Sequence, residues 1–217
     1  MIIDCISDLH GHYPKLEGGD LLIVAGDLTA EDHIVEYIKF FLWFEKQKYF
    51  HKVLVAGNHD KKIHEEGLDF SFPKEGIYYL EDDGIEIEGL KIWGSPWTLK
   101  FRGQNPNAMA FSCENESEIA SKWALIPKDI DILVTHSPPN GILDGISKSC
   151  GVEHCGSVSL RNFTLDSKHF PNKKLHIFGH IHEWGGNQIG KDPCKYVNAS
   201  YVDEDYEPVN KPVRVIL

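Results

Sequence analysis

Lys52-Val53-Leu54-Val55-Ala56-Gly57-Asn58-His59-Asp60 is the stretch whose reading decides the fold. Its first half is apolar and β-branched after Lys52, which predicts a buried strand. Its second half puts a glycine, an amide, an imidazole and a carboxylate where that strand must stop. Four further runs have the same build. Ile2 to Ser7 leads into Asp8-Leu9-His10, and Leu21 to Ala25 leads into Gly26-Asp27. Ile130 to Val134 leads into Thr135-His136, and Leu175 to Phe178 leads into Gly179-His180-Ile181-His182. The first strands do not alternate apolar with polar, as expected when both faces of a sheet are covered.

Between the second and third runs, Ile34, Ile38, Phe41 and Leu42 recur at helical spacing. Residues 31–49 are therefore predicted as an amphipathic helix, with Thr29 and Asp32 as its N-cap and reciprocal acid. A helix between two strands makes a β-α-β crossover and implies parallel pairing. The segment Ile77 to Trp93 alternates around Glu88-Gly89 and reads as an antiparallel hairpin. Residues 98–115 show no period and read as a long loop. Ser117 is a candidate cap for a helix carrying Ile119, Trp123 and Ile126, ended by Pro127. Residues 195–200 and 212–217 read as closing strands, with the acidic turn Asp203 to Glu207 between them.

With 217 residues, no internal repeat and no linker, the expectation is one domain over residues 1–217. A net charge of −11 argues against long nucleic acid and against an anionic membrane surface as partners. The longest apolar stretch, Ile34 to Phe44, is interrupted by Glu36 and Lys39 and falls short of the roughly 18 residues of a membrane span. Met1-Ile2-Ile3-Asp4 has none of the features of a signal peptide. Five scattered cysteines predict reduced thiols and a cytoplasmic setting. Cys150 and Cys155, with His154 between them, lack the second ligand pair that a structural zinc site needs.

Ligands of open α/β sheets sit beyond the C-terminal ends of the strands, so the five motifs can converge. Asp8 and His10 flank one residue and can turn to the same side. Asp27 has two oxygens and could bridge two metals, or it is a plain turn aspartate. Asn58 offers an oxygen without charge; a helix cap over residues 60–66, by Asn58 or Asp60, is the other reading. Capping leaves His59 unexplained and available to a substrate. His180 and His182 fall on one side of an extended backbone, with Ile181 turned into the core. A pair of satisfied core histidines is the competing account of them.

The motif order resembles that of the calcineurin-like metallophosphoesterase superfamily. Thr135-His136-Ser137-Pro138-Pro139 with Leu143-Asp144, and Val197-Asn198-Ala199-Ser200 with Pro208, Asn210 and Pro212, resemble its metallophosphoesterase-domain-containing branch, which is similar to class III cyclic-nucleotide phosphodiesterases. The resemblance implies an α/β fold: a mixed β-sheet sandwich flanked by helices (α-β-β-α), with a dimetal site at the strand C-terminal ends. It implies Asp8, His10 and His182 on one divalent metal and Asn58, His136 and His180 on the other, with Asp27 bridging. Mn, Fe and Zn all suit that donor set. His59 matches the family's substrate-side histidine, placed to stabilise or protonate the leaving oxygen, while a hydroxide shared by the two metals attacks phosphorus.

Gly26-Asp27-Leu28-Thr29-Ala30 contains no arginine, and Asp60 stands where protein phosphatases of the superfamily have Glu. Both departures favour a small phosphodiester, for instance a cyclic nucleotide, over a phosphoprotein. A phosphomonoesterase is the second expectation. A non-catalytic scaffold would show a gap in the ligand set, and none is present. In the 93–111 region, Trp93, Trp97, Phe101 and Phe111 either stack on a base or pack the loop. Lys100 and Arg102 either meet phosphate or are solvated.

Overall fold

Two mixed β-sheets lie face to face in the computed structural model, which describes residues 1–67, 75–100, 105, 107–165, 170–191 and 194–217. The first contains β1 (Ile2–Ile6), β2 (Gly19–Ala25), β3 (Tyr49–Val55) and β4 (Ile77–Tyr79), paired parallel in that order. The last strand of the chain, Val213–Ile216, pairs antiparallel with β1 and closes this sheet. The second sheet begins with the hairpin of β5 (Asp83–Ile87) and β6 (Leu90–Ser95). Two short strands, β7 (Thr98–Leu99) and β8 (Ser112–Cys113), pair with each other outside it. The sheet continues with β9 (Ile132–Thr135) beside β6. A separate hairpin, β10 (Gly145–Lys148) and β11 (Gly151–His154), follows. Then come β12 (Leu175–Phe178), β13 (Asn187–Lys191) and β14 (Cys194–Asn198), giving the order β13-β14-β12-β9-β6-β5. The final strand is thus β15.

Apolar side chains from both inner faces meet between the sheets. Ile3, Cys5, Ile23, Val53 and Val55 from one side join Ile132, Val134, Ile177 and Val197 from the other, all fully buried. The outer faces are covered by helices. Tyr37, Phe40 and Phe44 of α1 (Ile34–Lys46) lie on Leu22, Val24 and Leu54. After the short α2 (Lys61–Glu66), α3 (Glu116–Trp123) and α4 (Val158–Leu165) bring Ile119, Trp123 and Leu160 onto Trp93 and Leu133. This is the α-β-β-α sandwich that the motif order implied, and coverage on both faces is why β2 and β3 read as continuous apolar runs.

Local details depart from the sequence reading. Helix α1 begins at Ile34, and Glu36, not Thr29 with Asp32, closes its start. The Glu36 carboxylate accepts from the backbone N–H of Ala30, Glu31 and His33 at 3.0, 3.1 and 2.9 Å. Its buried face is Tyr37, Phe40, Phe41 and Phe44, whereas Ile34, Ile38 and Leu42 are about half exposed. Two apolar stripes share one period, and the aromatic one covers more of the sheet per residue. Asn115, not Ser117, caps α3 by accepting from Ser117 and Glu118 N–H, both at 3.0 Å.

Ile77–Tyr79 does not belong to the hairpin; it is the edge strand of the first sheet. Within residues 98–115, β7 and β8 pair, and Phe111 and Cys113 lie in the core. Trp93 and Phe111 are buried, so neither can stack on a base. Trp97 donates its Nε1–H to Asp82 at 2.7 Å and lies under Lys122, 3.6 Å from its ring centre. Lys100 pairs with Glu114, while Phe101 and Arg102 lie outside the described residues. Among the described residues no helix is long and apolar enough to cross a membrane.

Candidate metal centre

Five strands of the two sheets deliver the motifs to one edge of the sandwich. Asp8 and His10 follow β1, Asp27 follows β2, Asn58 follows β3, His136 follows β9, and His180 with His182 follows β12. The chain turns sharply there. Asp8, His10, Asp27 and His180 have positive φ of 50°, 42°, 53° and 70°. A non-glycine residue in that region costs about 1–3 kcal/mol and persists only when neighbours hold it. Here they do: Asp8 and His10 N–H donate to the carbonyls of Gly26 and Asp27 at 2.9 and 3.2 Å, and His180 N–H donates to both Asp8 oxygens at 3.0 Å. His180 is therefore not on extended backbone as the spacing suggested, and His182 opens a short 3-10 turn, though Ile181 does enter the core.

Asp27 occupies the centre. Its Oδ1 lies 3.3 Å from His136 Nε2 and its Oδ2 3.7 Å from His10 Nε2, so its two oxygens face two different imidazoles. Asp8 Oδ1 is 3.2 Å from His182 Nε2, and Asn58 Oδ1 is 3.0 Å from His136 Nε2. The His136 and His180 rings are 5.1 Å apart. Three overlapping sets of donor atoms are close enough to grip an ion: Asp8, His10 and His182; His10, Asp27 and His59; Asp8, Asp27 and His136. No such set among the described residues includes a cysteine; His154 instead donates to Asp144 at 2.7 Å. His59 enters one set, so proximity alone does not separate it from the ligands. Its ring stands edge-on to His10 at 4.6 Å and lines the cleft.

These residues fit divalent ions. His136 Nδ1 donates to Ala25 O at 2.8 Å and His182 Nδ1 to Asp203 O at 2.9 Å, which aims both Nε2 atoms inward, each a lone-pair donor once its proton is lost. Neither ring nitrogen of buried His10 has a hydrogen-bond partner among the described residues. Such a group is costly unless something else coordinates it. The motif glycines are shaped by the same packing. A Cβ on Gly57 would collide with Asp27, and one on Gly179 would collide with Asp8 and Ser7.

Electrostatics follow the burial and the pairing. Burial pushes the His10 and His180 imidazoles down to about 3, so both are neutral and able to ligate. Burial also disfavours charge on His136, yet the Asp27 carboxylate overrides it and raises His136 to about 9. A bound cation would displace that proton. Burial alone would raise Asp8, but the hydrogen bond and charge of His182 hold its carboxyl below the usual range. Asp60 goes the other way. Burial and the nearby Asp27 charge push its carboxyl well up, and it accepts from Gly57 and Leu28 N–H at 2.8 and 3.1 Å. Asp60 stands at the N-cap position of α2, but its side chain ties the second and third motifs together instead of capping that helix.

A family model described as calcineurin-like phosphoesterase matches residues 1–184. The chain belongs to the calcineurin-like phosphoesterase family. Membership indicates metal-dependent phosphoester hydrolysis, and members of this family bind divalent metals. The human metallophosphoesterase domain-containing protein 1 is 33% identical over 238 residues, covering 98% of this chain and 70% of that protein. The probable rhamnogalacturonate lyase C of Emericella nidulans is also 33% identical over 196 residues, which span 85% of this chain but only 17% of that protein. The crystal structure of the phosphopantetheinyl hydrolase PptH from Mycobacterium tuberculosis shares the fold, with a TM-score of 0.57 at 17% identity over 99% of this chain and 95% of that one. A second solved structure reaches a TM-score of 0.68 at 14% identity, covering 99% and 98% of the two chains.

Three contributors to this cleft do not stand out as site residues in the sequence. Ser200 donates to Asp8 Oδ2 at 2.7 Å. Asn198 donates to the carbonyls of Leu143 and Ile181 at 2.9 and 2.7 Å and so anchors the loop of His180 and His182. Their signal was present, since Asn198 ends and Ser200 follows a sixth strand, β14, which stops at the same edge. Tyr206 is the third. Its ring stands edge-on to His10 at 4.7 Å and to His182 at 5.4 Å. Nothing in the acidic turn around it announces that placement.

Proposed function

We propose that the chain is a dinuclear phosphodiesterase acting on a small phosphodiester, with a cyclic nucleotide as one candidate, in a reducing, cytoplasmic compartment. Asp8, His10 and His182 hold one divalent ion, Asn58, His136 and His180 hold the other, and Asp27 serves both. The observation that carries this reading is Asp27 itself, whose two oxygens address imidazoles belonging to the two halves of the site at 3.3 and 3.7 Å. When bound, two divalent ions in such a shell lower the pKa of water towards 7 and neutralise the phosphate oxygens.

The remaining work falls to the chain. The hydrogen bonds from His136 to Ala25 and from His182 to Asp203 fix which nitrogen of each ring points inward. Asn58 adds an oxygen without charge, and its amide nitrogen is held by Ala108 O at 3.1 Å. His59 lines the cleft beside His10 and donates a proton, or a hydrogen bond, to the departing oxygen. Five free cysteines support the compartment, and the lack of a thiol in the candidate ion sets among the described residues supports an oxygen- and nitrogen-ligated Mn, Fe or Zn pair.

Metal content by elemental analysis, with hydrolysis of bis-p-nitrophenyl phosphate and p-nitrophenyl phosphate in the presence of Mn, tests the assignment. Asp27→Ala is expected to lose metal and all turnover. His59→Ala is expected to keep its metal and lose about 10²–10⁴-fold in kcat. Metal loss in His59→Ala would move that residue into the ligand set, and a wild-type preference for the monoester would overturn the diesterase reading.

A further inference from the structure

The cleft of about 260 Å³ beside the candidate ligands has a wall that lies outside the family-matched residues 1–184. That wall is the turn Asp203 to Glu207. Asp203 organises it: its Oδ1 accepts from Asp205 and Glu207 N–H at 3.0 and 2.9 Å, and its carbonyl accepts from His182 Nδ1 at 2.9 Å. Tyr206 is held in the left-handed region, φ 64°, by its own N–H to Asp203 O at 3.0 Å and by the His12 ring donating to its carbonyl at 3.1 Å. This unfavourable backbone sets the Tyr206 ring edge-on to His10, His182 and His59, at 4.7, 5.4 and 6.1 Å. Glu204 from the same turn lines the cleft, and Glu183, next to His182, lines it as well.

We propose that this turn is the substrate-selecting wall of the cleft. Tyr206 packs the esterified arm next to His59, and Glu204 with Glu183 favours an arm that is cationic or uncharged over one carrying a second anionic group. The inference rests on the phosphodiesterase reading and narrows its substrate class. An aromatic ring provides rigid contact area at little entropic cost and presents its negative face to a cation. Two carboxylates on the path of the arm repel a second anion and attract a cation, an effect that salt weakens because the site is open to solvent. Neither carboxylate has been assigned to an ion, so each can be changed without removing a ligand.

The test uses p-nitrophenyl diesters with one common leaving group and three second arms: a choline, an ethyl group and a short chain ending in a carboxylate. The metal-loaded full chain is expected to prefer the choline arm over the carboxylate arm by about tenfold in kcat/KM at low salt, fading towards unity as salt rises. In the double variant Glu183→Gln, Glu204→Gln the ranking by charge should collapse, with the ethyl ester changed less than about threefold and metal content unaltered. Tyr206→Ala should raise KM for all three esters by a larger factor than it lowers kcat, and an unchanged KM would overturn the packing role.

Calorimetric binding of unreactive phosphonates bearing the same arms supplies a readout that needs no turnover. Equal binding of the three arms in wild type, or a charge ranking that survives the double variant, overturns the proposal. If no ester is hydrolysed by the metal-loaded wild type, the phosphodiesterase reading fails, and the phosphonate ranking still decides whether the wall discriminates.

Discussion

The middle of the sandwich and its C-terminal edge are built from the same strands on opposite terms. In the middle, Ile23, Val53, Val134 and Ile177 pack against one another with no polar partner to satisfy, and a small change of shape costs only packing. At the edge, one to four residues past the ends of β1, β2, β3, β9 and β12, the candidate ligands are two buried carboxylates, four imidazoles and an amide. Four of those seven residues have positive φ. The edge is strained and polar because the middle is neither. A rigid apolar slab can hold unfavourable loops in place, and those loops put candidate ligand atoms from residues 8 to 182 within a few ångströms.

Three substitutions separate the two regions, and the largest effect is expected at the edge. Gly179→Ala puts a methyl group into Asp8 and Ser7, so activity should fall by about a hundredfold or more, with metal lost by elemental analysis, while circular dichroism stays that of a folded protein. Retained metal and activity would mean that the edge is more pliable than its packing indicates.

Ile177→Ala in the middle should do the reverse. Denaturant unfolding is expected to show a loss of about 3 kcal/mol, with metal per folded molecule unchanged. A matching loss of metal would show that the slab and the edge are not separable. The smallest effect belongs to the outer stripe of α1. Ile38→Lys should change stability by no more than about 0.5 kcal/mol, since that side chain is 53% exposed. A loss of several kcal/mol would mean that Ile38 faces the core after all.

Of the four residues whose spacing marks α1, Phe41 is buried while Ile34, Ile38 and Leu42 are not, which shows what periodicity can and cannot tell. Ile34, Ile38 and Leu42 form a true helical stripe, and so do Tyr37, Phe40, Phe41 and Phe44. Spacing identifies both. Only the sheet beneath selects between them, because Leu22, Val24 and Leu54 offer a surface that the larger rings fill better. The hairpin β5–β6 was legible because its alternation and its Glu88-Gly89 turn are local. Ile77–Tyr79 was misplaced because its partner, β3, lies more than twenty residues away.

The candidate site divides in the same way. Seven candidate ligands and His59 could be listed from residues alone because each follows an apolar run, and a strand end is a local event. Asn198 and Ser200 follow such a run too, but they act on other side chains, and no residue type advertises that role. Tyr206 was illegible for a stronger reason. Its place over His10 depends on the Asp203 turn, on His12 and on the antiparallel return of the chain to β15, three contacts with no shared sequence pattern.

By itself the sequence determined the strand ends, the inventory of donors at them and the family to which the chain belongs, since these depend on residue type and short-range order. Tertiary structure alone decided which oxygen of Asp27 faces which imidazole, which face of α1 is buried and what walls the cleft. Those are distances between residues far apart in the chain, set by how two sheets pack, and packing is a property of the whole.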